Sequence, residues 1–278
     1  MHRKSLIVLA CLALLLAPLL GCSKVKARSE AQKGNRFYKD ELYKEALAQF
    51  QKALALDPGL TFVYRSLGFA AMAQFRPGTA TAENMKYADT AIDAFQKYLK
   101  AYPNDEKVQD FLVATWVNAE KFDAALSFLK QQRRDHPETS KFNQPITNVY
   151  IKSNRYREAL DWVGQFTPRD HGLYYLIATN AWSKSYNDPT TTFEDRVQIV
   201  DVGLQAVQRA VDVKPDYMEA MVYYNLLYRE KAKLDPDDKK KEEYTAKADE
   251  WRAKALALRE RQKPGTTAPA STATKPAA

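Results

Sequence analysis

The sequence predicts an all-α fold built from repeated helical hairpins. Three observations predict it. Small, aromatic and proline residues recur at helical spacings through most of the chain. The second helix of most candidate hairpins runs into a proline, which lacks the amide donor and clashes with the preceding turn. No segment reads as a strand; the stretch LYYLIATNAW (173–182) comes nearest, but its small residues fit helix spacing better.

The first hairpin is GNRFYKDELYKEALAQFQKALALDP, residues 34–58, with Gly34, Phe37, Tyr43, Ala46, Phe50, Ala53 and Pro58 at spacings 3, 6, 3, 4, 3 and 5. Small Gly34 and Ala46 let two helices approach, Phe37 and Phe50 fill the space between them, Ala53 leaves room for the next hairpin, and Pro58 ends the second helix. Tyr64, Leu67 and Gly68 open a second copy, which Ala91, Phe95, Tyr98 and Pro103 close. An insertion around Arg76-Pro77-Gly78-Thr79 is expected to be a loop or an extended helix end. The third copy, ungapped, has Leu112, Trp116, Phe122, Ala125, Leu129 and Pro137. The fourth has Tyr150, Tyr156, Ala159 and Val163, with its proline displaced to Pro168. The fifth runs from Tyr174 and Ala178 to Val207, Ala210 and Pro215, is expanded around Asn187-Asp188-Pro189-Thr190, and has Gly203 in the small position of Ala46. A last pair, Met218 to Leu234 and from Asp237 or Asp238 to about Gln262, carries Tyr244, Ala248, Trp251, Ala255 and Leu258 on one stripe, as a terminal cap would.

These copies resemble the tetratricopeptide repeat, a helix–turn–helix unit of about 34 residues. The resemblance spans roughly residues 27–217, with the cap reaching about 262. It implies a right-handed α-solenoid of about five to six units with a C-terminal capping helix, over residues 27–262. Residues 263–278 are rich in Pro, Ala and Thr, have no periodicity and are expected to be disordered.

The N-terminus has its own pattern. Arg3 and Lys4 precede an almost wholly apolar stretch, Leu6 to Leu20, too short for a comfortable transmembrane helix. Leu19-Leu20-Gly21-Cys22 then resembles the bacterial lipobox. That resemblance implies a signal peptide over residues 1–21, diacylglycerol on the Cys22 sulfur, and a lipidated N-terminus with a short linker over 22–26. Cys11 falls within the removed segment, so the mature chain is expected to have neither a disulfide nor a free thiol. The lipid implies an exported protein of the cell envelope. Ser23, not Asp, after the cysteine implies the outer membrane, facing the periplasm, in a Gram-negative organism.

Composition and motifs argue against catalysis and nucleic-acid binding. The formal charge of +8 is spread along the chain, and its densest run, Lys239-Lys240-Lys241, is flanked by Asp237, Asp238, Glu242 and Glu243. His136 and His171, at turns, have no second ligand at metal spacing. No nucleophile elbow, H-E-x-x-H or glycine-rich phosphate loop occurs. No cofactor, metal or catalytic residue is expected.

The remaining expectation is a protein-binding scaffold. In the repeat family one stripe of each first helix lines the concave surface. By helical spacing that stripe is Asn35 and Tyr38; Phe62, Arg65, Phe69 and Met72; Asp110 and Val117; Gln144, Asn148 and Ile151; Tyr175 and Trp182. Family members that clamp a C-terminal carboxylate use Lys and Asn at several such positions; Asn35 matches, and Ala31, Ser66 and Phe111 depart. The stripe is otherwise apolar and aromatic, which suits an apolar or amphipathic segment of another envelope protein. Family members of this layout serve outer-membrane, pilus or cell-wall assembly. The alternatives are an envelope enzyme, or a small-ligand-binding protein, on a helical platform.

Overall fold

A computed structural model describes residues 23–262, and every described element is a helix or a connecting turn. The expected signal peptide, Cys22 and the Pro/Ala/Thr tail lie outside the described residues. The first helix, α1, covers residues 23–39. It is followed by α2 (Tyr43–Leu56), α3 (Thr61–Gln74), α4 (Ala82–Ala101), α5 (Glu106–Asn118), α6 (Phe122–Asp135), α7 (Asn143–Lys152), α8 (Tyr156–Val163), α9 (His171–Asn187), α10 (Phe193–Val213), α11 (Met218–Leu234) and α12 (Asp238–Arg261). The linker expected up to residue 26 is instead the first turn of α1. Nothing in Ser23-Lys24-Val25-Lys26 breaks a helix, and the first glycine among the described residues is Gly34. Among the described residues no helix is long and apolar enough to cross a membrane.

The chain divides within α6 into two compact units, the first ending at Phe128 and the second beginning at Leu129. In the first unit α2 packs on α3, α3 on α4 and α4 on α5. In the second unit α7 pairs with α8, α9 with α10 and α11 with α12; the odd helices also stack, α7 on α9 and α9 on α11, and α8 lies against α10. Each unit is thus a short stack of antiparallel hairpins whose core runs as a strip between the helices.

Three hairpins share one turn. Glu41, Glu120 and Asn154 all adopt the left-handed conformation, with φ of 59°, 57° and 59°. In each turn the next amide reaches back five residues, Leu42 to Phe37, Lys121 to Trp116 and Arg155 to Tyr150, at 2.8–2.9 Å. This is the Schellman ending of a helix. The expanded hairpins close differently. Loop 75–81 is pinned by buried Asn84: Oδ1 accepts from the Arg76 amide at 2.8 Å, and Nδ2 donates to the Arg76 and Thr79 carbonyls at 2.8 and 2.6 Å. Thr81 and Thr192 cap the long helices α4 and α10 that follow the two expanded loops.

The second helices stop where their prolines demand. Pro58, Pro103, Pro137 and Pro215 each stand two residues beyond the last helical residue of α2, α4, α6 and α10. α8 ends at Val163, well before Pro168.

Candidate functional site

The candidate surface depends on how the first helices are held. Gly34 and Gly68 are buried, and each faces an aromatic ring of the next helix. A Cβ on Gly34 would come within 2.6 Å of Phe50 Cε1, and one on Gly68 would crowd the Phe95 ring even more closely. Phe50 and Phe95 are almost wholly buried, as are Ala46, Ala53, Ala91, Ala125, Ala159 and Ala210. In the fifth hairpin the small residue sits on the second helix: a Cβ on Gly203 would lie 2.9 Å from Ala181 Cβ and from Leu227 Cδ2. Pro58 is exposed in the turn after α2. These are closely packed helical hairpins. Their first helices, fixed by such contacts, present a defined outer stripe.

In the first unit that stripe is only partly available. Asn35 is exposed, and Tyr38 sits edge-on to Tyr43 across its own turn, ring centres 5.3 Å apart. Phe69 is not a free anchor. It meets Phe95 at 5.2 Å and Phe111 at 4.9 Å, both edge-to-face, so it belongs to the packing between hairpins. Arg65 lies over the Phe69 ring at 5.2 Å, with Nε 3.9 Å from the Asp105 carboxylate. Met72 and Val117 are half-buried, while Phe62 and Asp110 are exposed.

The second unit holds the more developed surface. Gln144 is exposed and Asn148 half-buried. Ile151, expected on the stripe, is buried, because it lies one turn beyond fully buried Thr147 and shares its face. Tyr175 and Trp182, two turns apart on α9, are half-buried and join a run of rings. His171 meets Tyr217 at 5.1 Å, and Tyr217 meets Tyr175 at 5.0 Å. Tyr175 meets Tyr223 at 5.5 Å, Tyr223 meets Trp182 at 5.7 Å, and Trp182 stacks on Tyr186 at 5.0 Å. Six rings thus form one continuous strip along α9 and the neighbouring face of α11. Tyr186 at one end is 55% exposed. Lysines cover both ends: Lys214 Nζ lies 4.9 Å from the Tyr217 ring centre, and Lys233 Nζ 5.0 Å from that of Tyr186.

Burial pushes the Tyr175 phenol up from its ordinary value, with the neighbouring Tyr223 adding to the effect. Burial also pushes Tyr217 up, and Glu219 adds to it. Near neutral pH the two phenols are therefore uncharged, offering apolar faces and hydroxyl donors. His171, Tyr186, Tyr217 and Tyr223 were not assigned to the surface from sequence. The signal available was the tyrosine density of 217–228, which helical spacing splits into two faces. Tyr223 turns to α9, whereas Tyr224 and Tyr228 stack on each other, with Tyr224 stacking 4.3 Å from Trp251 and Tyr228 6.3 Å from Tyr244 of α12.

The last helix therefore packs on the opposite face of α11 and leaves the aromatic strip uncovered by α12. Two polar recesses lie elsewhere in this unit. One, of about 580 Å3, is lined by Arg157, Lys184, Asp195 and Asp201 among others. The other, of about 720 Å3, is bordered by Tyr224, Tyr228, Gln205 and Asp212. Among the described residues no group of three or more His, Cys, Asp or Glu is placed to hold a metal. His136 Nδ1 stands 3.5 Å from Glu138 in an exposed turn.

No family model and no curated protein matches the chain. Similar solved structures include YrrB, described as a TPR protein with an unusual peptide-binding site. It is 19% identical, covers 69% of this chain and 88% of its own, and has a TM-score of 0.38. A TPR repeats protein from Bacteroides fragilis NCTC 9343 is 11% identical over 72% of this chain and 97% of its own, with a TM-score of 0.45. MamA from Desulfovibrio magneticus RS-1 is 15% identical over 86% of this chain and 97% of its own, with a TM-score of 0.31. The helical-hairpin fold rests on the geometry of the chain itself.

Proposed function

We propose that the chain is a non-catalytic protein-binding scaffold of the cell envelope, anchored through a lipid on Cys22. Its binding surface is the aromatic strip of α9 and α11, and the occupant is an apolar or amphipathic segment of another envelope protein. The observation that carries this reading is the continuity of the strip: six rings in mutual contact, half-buried and ending in exposed Tyr186. Aromatic rings that are already ordered by their neighbours bury large apolar area while losing little side-chain freedom. The outer membrane is the proposed location, and outer-membrane, pilus or cell-wall assembly is the proposed setting. Both follow from the Leu19-Leu20-Gly21-Cys22-Ser23 sequence and from the repeat type.

The test is a double change, Trp182→Ala with Tyr186→Ala, in the protein purified from membranes in mild detergent. Specific partners identified with the unaltered protein are lost while the melting curve stays in place. Partners retained at full yield by the altered protein refute the surface. A large fall in stability assigns both rings to the core.

A further inference from the structure

α1 carries a charge imbalance that hairpin packing does not explain. Residues 23–39 hold six cations, Lys24, Lys26, Arg28, Lys33, Arg36 and Lys39, against one carboxylate, Glu30. Residues 40–128, the rest of the first unit's described residues, hold nine Lys or Arg against twelve Asp or Glu. Among the described residues of this unit, the excess of positive charge is therefore confined to one helix.

The packing of α1 sets the direction of those charges. Ala27, Glu30, Ala31 and Gly34 form its buried side. Glu30 is taken up there by Lys33, Nζ to Oε1 at 2.8 Å. The outer side carries Lys24, Lys26, Arg28, Arg36 and Lys39, all exposed, and no carboxylate. None of these five has a carboxylate oxygen within ion-pair distance among the described residues. Other lysines of the unit do, such as Lys97 with Asp93 at 2.8 Å and Lys121 with Asp89 at 2.5 Å. Between the cations stands Val25, 71% exposed, an apolar side chain with nothing to pack on.

We propose that the outer face of α1 lies on the surface of an anionic phospholipid bilayer. The face is cationic, bears one exposed apolar residue near its start, and begins one residue after Cys22. Seventeen helical residues present it over about 25 Å. Unpaired Lys and Arg near an anionic leaflet each contribute attraction that fades within a Debye length. The inference rests on the anchoring reading for its setting. The lipid holds the chain at the membrane, and α1 fixes how the first hairpin faces it.

The test uses the mature chain from residue 22 with Cys22→Ser, which holds every described residue and no acyl chain. Sedimentation with vesicles of phosphatidylcholine and phosphatidylglycerol at 3:1 is expected to carry the protein down at low salt. Vesicles of phosphatidylcholine alone do not, and added salt releases the protein. Changing Lys24, Lys26, Arg28, Arg36 and Lys39 to Gln weakens vesicle binding by about tenfold or more. The same change at exposed Lys86, Lys100, Lys107, Lys152 and Lys239 removes equal charge and leaves most of the binding. Equal loss in the two variants, or binding indifferent to phosphatidylglycerol, overturns the proposal. Binding to heparin but not to the anionic vesicles overturns it too, in favour of a soluble polyanion. Since no acyl chain is present, these outcomes stand apart from the anchor, which palmitate labelling tests.

Discussion

The ring of Phe50 stands where a side chain on Gly34 would be, 2.6 Å from the position its Cβ would take. Phe95 and Gly68 repeat the pair one hairpin on. The glycines are 34 residues apart and the rings 45, so the insertion lies wholly between Gly68 and Phe95. Gly34→Ala and Gly68→Ala should each cost about 1–3 kcal/mol, because the buried ring must shift. Thermal unfolding reads the cost. Combining Gly68→Ala with Phe95→Leu should recover part of it, whereas strict additivity in the double-mutant cycle would deny the contact.

A second pair of changes tests the helix faces. Ala46 is fully buried and Ala48, on the same helix, is exposed. Ala46→Leu should lower stability by about 1–3 kcal/mol, and Ala125→Leu likewise, while Ala48→Leu stays within about 0.5 kcal/mol of the unaltered protein. A chemical-denaturation midpoint for each variant decides between them.

The shared turn predicts a gain. Glu41 and Glu120 occupy left-handed backbone that costs a residue with a side chain roughly 1–2 kcal/mol. Glu41→Gly and Glu120→Gly should each raise stability by about 1 kcal/mol, and Asn154→Gly by less, since Asn tolerates this region. No gain from Glu120→Gly in a melting experiment would contradict the turn.

Asn84 offers the converse. Its three side-chain hydrogen bonds hold loop 75–81 onto the start of α4. Asn84→Ala should cost about 2–4 kcal/mol at roughly 1 kcal/mol per bond. It should also speed hydrogen exchange at the Arg76 amide, which donates to Asn84 Oδ1. An unchanged exchange rate would mean that the loop is ordered by something else.

Tyr156 sets an alkaline limit. Burial raises its phenol from an ordinary value near 10 to about 12, and its hydroxyl donates to the Asn180 carbonyl at 3.3 Å. A folded-state value above the unfolded one gives stability that is complete below pH 10 and is lost as pH climbs through 12. The loss should approach about 2–3 kcal/mol over that range. Tyr156→Phe should remove this part of the pH dependence, as urea titrations at pH 9 and 11.5 would show.

Hairpins were readable in the sequence because the rules behind them are local. Pro103 stops α4 and Gly68 admits Phe95 whatever the rest of the chain does. The proposed binding surface was readable only in half. Tyr175 and Trp182 share one helix, so their spacing revealed a common stripe. Tyr217 and Tyr223 lie some 40 residues on, and the face that α11 turns to α9 depends on how α10 packs between them. Phe69 misled for a similar reason. Its helical position was right, but Phe111 of the following hairpin closes over it, which no spacing within α3 reveals.

The contact of Trp182 with Tyr186 and Tyr223 also gives the surface an optical property. Light absorbed by those tyrosines passes to the indole, whose emission colour depends on the water around it. With Trp116, Trp162 and Trp251 changed to Phe, Trp182 becomes a built-in fluorescent gauge of the strip. A peptide that settles over the rings would then announce itself as a blue shift, with no dye attached.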